Sequence, residues 1–138
     1  MTDVIIRIKP LKADSFTFHQ LRAGRSVWQV VAGSHSWCPP TDVYETDDQF
    51  TVRIEAAGMK KGEFFITLDK QLLLIEGRRP SLSETCYYHQ MEIGFGEFRN
   101  GVELPSPVIA EQVTAVYKDG FLELILPKQK SRRVEIKD

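Results

Sequence analysis

Four residues have the types and spacing that a metal site would use. His35-Ser36-Trp37-Cys38 and Cys86-Tyr87-Tyr88-His89 form an H-x2-C and a C-x2-H pair, and two such pairs could complete tetrahedral zinc coordination. Two Cys and two His also arise easily by chance in 138 residues, so no metal and no cofactor is assigned. Nucleophilic catalysis has less support. Ser, His and Asp are all present, but there is no Gly-x-Ser-x-Gly elbow, phosphate loop or dinucleotide fingerprint, and His19, His35 and His89 stand in no catalytic motif. The Asp47-Asp48 carboxylate pair sits beside a predicted strand start, where a polar turn accounts for it. The expectation is a protein that is not an enzyme.

The 138 residues suffice for one domain that buries about two-thirds of its unfolded surface, plus some tail. With 27% charged and 42% hydrophobic residues and a net charge of -1, the composition is that of a soluble globular domain. The 18 Lys and Arg are interleaved with 19 Asp and Glu rather than gathered in a stripe, so no nucleic-acid partner is expected. Val4, Ile5, Ile6 and Ile8 are interrupted by Arg7 and Lys9, far short of a signal-peptide core. No stretch approaches the roughly 20 apolar residues of a membrane span. Two cysteines, Cys38 and Cys86, agree with a reducing compartment, and the expected location is cytoplasmic.

The elements that must carry any site are short strands. In Gln49-Phe50-Thr51-Val52-Arg53-Ile54-Glu55-Ala56 every second residue is apolar, which puts Phe50, Val52, Ile54 and Ala56 on one face of a half-buried strand. Gly58 begins a turn. Phe64, Ile66 and Leu68 repeat the alternation, and after Asp69-Lys70-Gln71 the run Leu72-Leu73-Leu74-Ile75 is apolar on both faces, as suits a strand covered on two sides. Val113, Ala115 and Tyr117 alternate again, as do Leu122, Leu124 and Leu126. Between them, Asp119-Gly120 is a hairpin signal, because a type I′ turn needs positive φ at both central residues. Strands separated by turn signals over residues 41–126, with no long helix, predict an all-β sandwich or barrel.

Upstream of Pro39-Pro40 the period is lost, although Asp14 or Ser15 could cap a helix weakened by Gly24. Phe16, Phe18, Leu21, Val27, Trp28, Val30, Val31 and Trp37 are scattered among polar residues. The expected organisation is a flexible N-terminal arm (1–38), a β-domain (39–127) and a short, mostly polar C-terminal extension (128–138).

From residue 37 to 136 the chain resembles the small heat-shock protein family, in its bacterial-type form, motif by motif. Trp37-Cys38-Pro39-Pro40-Thr41-Asp42-Val43-Tyr44-Glu45-Thr46 is similar to the start of the family's first strand, and Gly58-Met59-Lys60-Lys61-Gly62-Glu63 to its Gly-Val-Lys-Lys turn. Tyr88-His89-Gln90-Met91-Glu92, Gly94-Phe95-Gly96-Glu97-Phe98 and Leu104-Pro105 follow the order of its Tyr-His, Gly-x-Phe and Leu-Pro elements. Ala115-Val116-Tyr117-Lys118-Asp119-Gly120-Phe121-Leu122-Glu123-Leu124 resembles its last hairpin, the most specific piece. Two departures stand out. Ala56-Ala57 replaces the usual Leu-Pro before Gly58, and Asn100 occupies the place of an arginine that here lies one residue earlier, at Arg99. One residue of shift in a strand turns a side chain to the opposite face, so the ion pair that the resemblance implies at the dimer interface does not carry over to this sequence by position.

The resemblance implies an immunoglobulin-like antiparallel β-sandwich, the α-crystallin domain, and an ATP-independent holdase chaperone whose partners are unfolding client proteins. It implies a homodimer as the building block of a larger homo-oligomer, with strand exchange through Tyr87, Tyr88 and Met91 in the connection 79–93. Were the exchanged strand to lie beside the partner's first strand, Cys86 would approach Cys38 across the dimer. Val134-Glu135-Ile136 is similar to the family's Ile-x-Ile tail, whose two apolar side chains point the same way into a groove. Here the groove would be lined by Phe64, Ile66, Leu68, Val113, Ala115 and Tyr117. Ile6-Arg7-Ile8 has the same spacing as the tail, so both termini are candidates for that groove, with assembly size set by the winner. Clients are assigned to Phe16, Phe18, Leu21, Val27, Trp28, Val30 and Val31 of the arm. The alternative is a co-chaperone or adaptor on the related CS-domain sandwich, a monomer that binds one folded partner.

Overall fold

The computed structural model describes residues 4–9, 37–59, 64–81, 84–130 and 135–136. Among the described residues eight strands follow in chain order: β1 (Val4–Ile8), β2 (Thr41–Glu45), β3 (Gln49–Glu55), β4 (Phe64–Asp69), β5 (Leu72–Arg79), β6 (Gly96–Glu103), β7 (Thr114–Lys118) and β8 (Phe121–Pro127). Among the described residues a 3₁₀ turn, Ala110–Gln112, lies between β6 and β7.

The strands form two four-stranded sheets, ordered β1-β4-β5-β6 and β2-β3-β8-β7. The second is antiparallel throughout, whereas in the first β1 runs parallel to β4. The period-2 patterns become the facing inner surfaces of the sandwich. Phe50, Val52 and Ile54 of β3 and Leu122, Leu124 and Leu126 of β8 meet Phe64, Ile66 and Leu68 of β4, Leu73 and Ile75 of β5, and Phe98 of β6 in one buried cluster. Each such side chain contributes roughly 1.5–3 kcal/mol of transfer free energy. Leu74, on the opposite face of β5, is also buried, and its ladder neighbours there are Thr67 and Gly101.

Two hairpins set the register. Asp119 and Gly120 take φ of 53° and 81°, both positive, as a type I′ connection between β7 and β8 requires. Lys70 takes φ of 56° between β4 and β5, a conformation uncommon outside Gly, Asn and Asp. The Gly120 carbonyl also accepts from Ala56 N–H at 2.8 Å, tying the end of β3 to that turn. Val4–Ile8, within the segment expected as an arm, is thus a strand of the first sheet. The arm residues Phe16, Phe18, Leu21, Val27, Trp28, Val30 and Val31 and the helix start at Asp14 or Ser15 lie outside the described residues.

Burial predicts the energetics. Leu124, fully buried, should cost about 2–5 kcal/mol on replacement by Ala, read as a lower denaturation midpoint with an unchanged slope. Val116, on the same hairpin but 60% exposed, should cost less than about 0.5 kcal/mol.

Candidate functional site

The sheet order leaves the sandwich with two long sides, one bounded by β1 and β7 and the other by β2 and β6. On the first side the inner residues of β4, Phe64, Ile66 and Leu68, are fully buried, and Val113, Ala115 and Tyr117 at and within β7 are half-buried against the same core. The rings of Phe64 and Tyr117 lie 5.2 Å apart. The Tyr117 hydroxyl donates to the Ala56 carbonyl at 2.7 Å, so an aromatic lining residue is held at a fixed tilt.

The edge of β4 on this side is paired with β1. Val4 pairs with Phe64, Ile6 with Ile66 and Ile8 with Leu68, and Lys9 N–H extends the ladder to the Leu68 carbonyl at 3.2 Å. Alternation puts residues 4, 6 and 8 on one face. Val4 and Ile6 pack against the core, while Ile8, at the end of the strand, is 57% exposed. The inserted pair is therefore Val4 and Ile6, where the spacing of the sequence had pointed to Ile6 and Ile8. Outside, Ile5 lies opposite Phe65, and the Arg7 guanidinium sits 5.6 Å from the Phe65 ring. At the other terminus Ile136 is 90% exposed, and Val134 lies outside the described residues.

On the second side, β2 is the outer strand of its sheet and faces β6 across a cleft of about 480 Å³ lined by Cys38, Pro39, Thr41, Val43, Asn100 and Val102. Asn100 points inward, is buried, and donates its side-chain amide to the Thr41 hydroxyl, which in turn donates to the Pro39 carbonyl at 3.0 Å. Arg99 points outward and pairs with Glu76 at 3.1 Å. The one-residue shift of the arginine thus exchanges a charge between the sheets for an amide that ties β6 to the start of β2. Cys38 is half-buried in this cleft, and desolvation pushes its thiol up to about 11. Cys86 and His89 are exposed and His35 lies outside the described residues; among the described residues no group of three or more His, Cys, Asp or Glu could hold a metal.

Between β5 and β6, residues 84–95 form no strand and put apolar side chains in solvent: Tyr87 94%, Ile93 78%, Tyr88 52% and Met91 51% exposed. A clasp fixes the end of this connection. The Arg79 guanidinium stacks 3.8 Å over the Trp37 ring, its Nε donates to the Gly94 carbonyl at 2.8 Å, and its Nη1 donates to the Ala57 carbonyl at 3.2 Å. Trp37 Nε1 donates to the Gly96 carbonyl at 3.0 Å, and its ring meets Phe98 edge-on at 5.2 Å. Gly94 is there for space, since a Cβ would stand 2.5 Å from that of Trp37. Sequence pattern carried no signal for Arg79 or Gly94 as partners, and Trp37 was counted with the arm because no period includes it.

The arrangement offers backbone edges and apolar pockets, the means of adding strands. Residues 42–137 match the model of the Hsp20/alpha crystallin family, and the chain belongs to that family. Small heat shock protein C2 of Rickettsia felis is 30% identical over 104 residues, which is 72% of this chain and 68% of that protein. Small heat shock protein C4 of the same organism is 31% identical over 71% of this chain and 63% of its own length. Among solved structures, hspA of Xanthomonas axonopodis superposes with a TM-score of 0.63 at 29% identity, over 68% of this chain and 96% of that one. Heat shock protein 16.0 of Schizosaccharomyces pombe gives 0.62 at 27% identity, over 74% and 100%. The fold is the α-crystallin sandwich of these small heat shock proteins.

Two measurements test the clasp and the cleft. Gly94→Ala should destabilise by about 1–3 kcal/mol in the intact chain but much less in a Trp37→Ala background, a coupling read by a double-mutant denaturation cycle. With its thiol at about 11, Cys38 is only about one part in ten thousand thiolate at pH 7. A Cys86→Ser chain should therefore react with maleimide at least about tenfold more slowly than a Cys38→Ser chain, and speed up as pH rises.

Proposed function

We propose that the protein is a holdase chaperone: it binds unfolding client proteins without ATP and keeps them from aggregating. The observation that carries this reading is the run of solvent-facing apolar side chains from Tyr87 to Phe95, mounted on a sandwich with an open β2 edge. A monomer rarely leaves such a patch in water unless a partner uses it.

The building block is a homodimer formed by strand exchange. The segment bearing Tyr87, Tyr88 and Met91 adds to the outer edge of the partner's β2, where Val43 and Tyr44 are 45% and 49% exposed. Dimers join into a larger homo-oligomer through the tail, whose Val134 and Ile136 enter the groove of Phe64, Ile66, Leu68, Val113, Ala115 and Tyr117 on a neighbouring protomer. The domain division at 39 and 127 follows this use, with the extension after Pro127 acting as a hinged arm. Clients contact the apolar residues of the N-terminal arm, and the protein works in the cytoplasm. No helix among the described residues is long and apolar enough to cross a membrane.

The test is the solution mass of the intact chain beside one lacking residues 131–138, each assayed for protection of a heated client without ATP. A large assembly that collapses toward dimers on truncation, with protection by the intact chain, is the expected outcome. A monomer without protection would overturn the holdase reading in favour of an adaptor that binds a folded partner.

A further inference from the structure

Two routes of contact cross the sandwich from the β4–β7 side to the β2–β6 side, and they share both ends. We propose that together they form one closed circuit that couples the groove between β4 and β7 to the root of the connection 84–95, with Tyr117 as the positioning residue at the groove end. The functional part rests on the reading above, in which that connection adds to a partner's sheet.

The first route is a file of aromatic rings through the core. Tyr117 lies tilted against Phe64 at 5.2 Å, Phe64 meets Phe98 edge-on at 6.2 Å, and Phe98 meets Trp37 edge-on at 5.2 Å. Phe64 and Phe98 are buried, so neither ring can turn without displacing its neighbours. The second route is polar and follows the rim. The Tyr117 hydroxyl donates to the Ala56 carbonyl at 2.7 Å and accepts from the Met59 N–H at 3.4 Å, which clamps residues 56–59 from one side. Arg79 clamps them from the other, its Nη1 donating to the Ala57 carbonyl at 3.2 Å. Its guanidinium stacks on the Trp37 ring at 3.8 Å, and there the two routes meet.

Arg79 is also the neck of the connection. It is the last residue of β5, and its Nε holds the carbonyl of Gly94, two residues before β6 begins at Gly96. A shift of that guanidinium therefore moves both ends of the connection together. Residues 56–59 have little slack to absorb such a shift: Ala56 and Met59 are buried, the Ala56 N–H is taken by the Gly120 carbonyl at 2.8 Å, and Gly58 turns the chain at a φ of 75°. Packed elements of this kind switch between discrete arrangements rather than deforming continuously. An occupant of the groove that displaces the Tyr117 ring thus reaches Arg79 by both routes. By linkage, strand addition by the connection changes the affinity of the groove for its occupant by the same factor.

The experiment uses the full chain with Trp28→Phe throughout, which leaves Trp37 as its one tryptophan. Tyr117→Phe removes the hydroxyl and keeps the ring, Arg79→Met removes the donors and keeps an apolar stem, and a third chain combines them. Trp37 emission reports the circuit. Subunit exchange between isotopically heavy and light chains, followed by native mass spectrometry, reports strand addition. Tyr117→Phe should move Trp37 emission to longer wavelength, as Arg79→Met does, and change the exchange rate about two- to thirtyfold, with no further change in the combined chain. Val116→Ala, on the same strand but facing outward, should alter neither readout. Unchanged emission in Tyr117→Phe would overturn the circuit, whatever the exchange rate does. Emission that moves while exchange stays constant would overturn the coupling. A chain with Tyr87→Ser, Tyr88→Ser and Met91→Ser tests the reading beneath it: an exchange rate indifferent to these changes would overturn strand addition by the connection, and the coupling with it, leaving the circuit as a brace across the sandwich.

Discussion

Each sheet of an open sandwich ends in strands whose outward N–H and C=O groups find no partner within the sheet, and this is the constraint on which the rest of the molecule turns. The strands toward the rims of the two sheets meet this constraint in different ways. The edge of β4 is taken by β1 in parallel register, an arrangement that needs no tight turn and so lets a distant segment of chain supply the strand. At β6 the amide of Asn100 ties the strand to the start of β2. Among the described residues the outer edge of β2 has no strand partner, and the connection 84–95 is rich in exposed aromatic side chains. The geometry for strand addition is thus a property of edges, while the core only holds them apart at fixed distance.

That core is rigid for an ordinary reason. Alternate residues from both sheets meet in one buried cluster, so shifting one strand relative to another would open cavities throughout it. Polar side chains at the rim then fix what packing leaves free. Tyr117 is tethered to Ala56, and Arg79 links Trp37, Ala57 and Gly94. A guanidinium suits the second role, since its planar fork can stack on indole while donating in plane to two carbonyls. The connection 84–95 therefore leaves the sheet from a defined point, although it forms no strand.

Position within the pleat decides chemistry at β6. Arg99 and Asn100 are adjacent in sequence and lie on opposite faces. One makes a half-exposed ion pair with Glu76, of the kind worth about 0–1 kcal/mol, and the other is buried with its amide donating to Thr41. An arginine at position 100 would instead bring a charge between the sheets, where desolvation demands a partner. Nearby, the same desolvation holds the Cys38 thiol neutral.

How much of this was legible in the sequence follows from the range of the interactions involved. Strands β3, β4, β5, β7 and β8 could be read because side-chain alternation is a local property of an extended chain, and Asp119-Gly120 because positive φ is a property of two residues. The inward residues Phe50, Val52, Ile54, Leu122, Leu124 and Leu126 were legible for the same reason, and the order of motifs identified the sandwich itself. The burial of Phe64, Ile66 and Leu68 came with that pattern. What only the tertiary structure decided was partnership. That Val4 rather than Ile8 joins Ile6 against the core depends on where β1 begins and ends against β4, a register set across sixty residues of chain. That Trp37, Arg79 and Gly94 form one clasp depends on three segments meeting in space. Periodicity encodes which face of a strand is apolar, but it carries no information about which distant backbone edge will lie beside it, because ladder hydrogen bonds are made by groups that every residue shares.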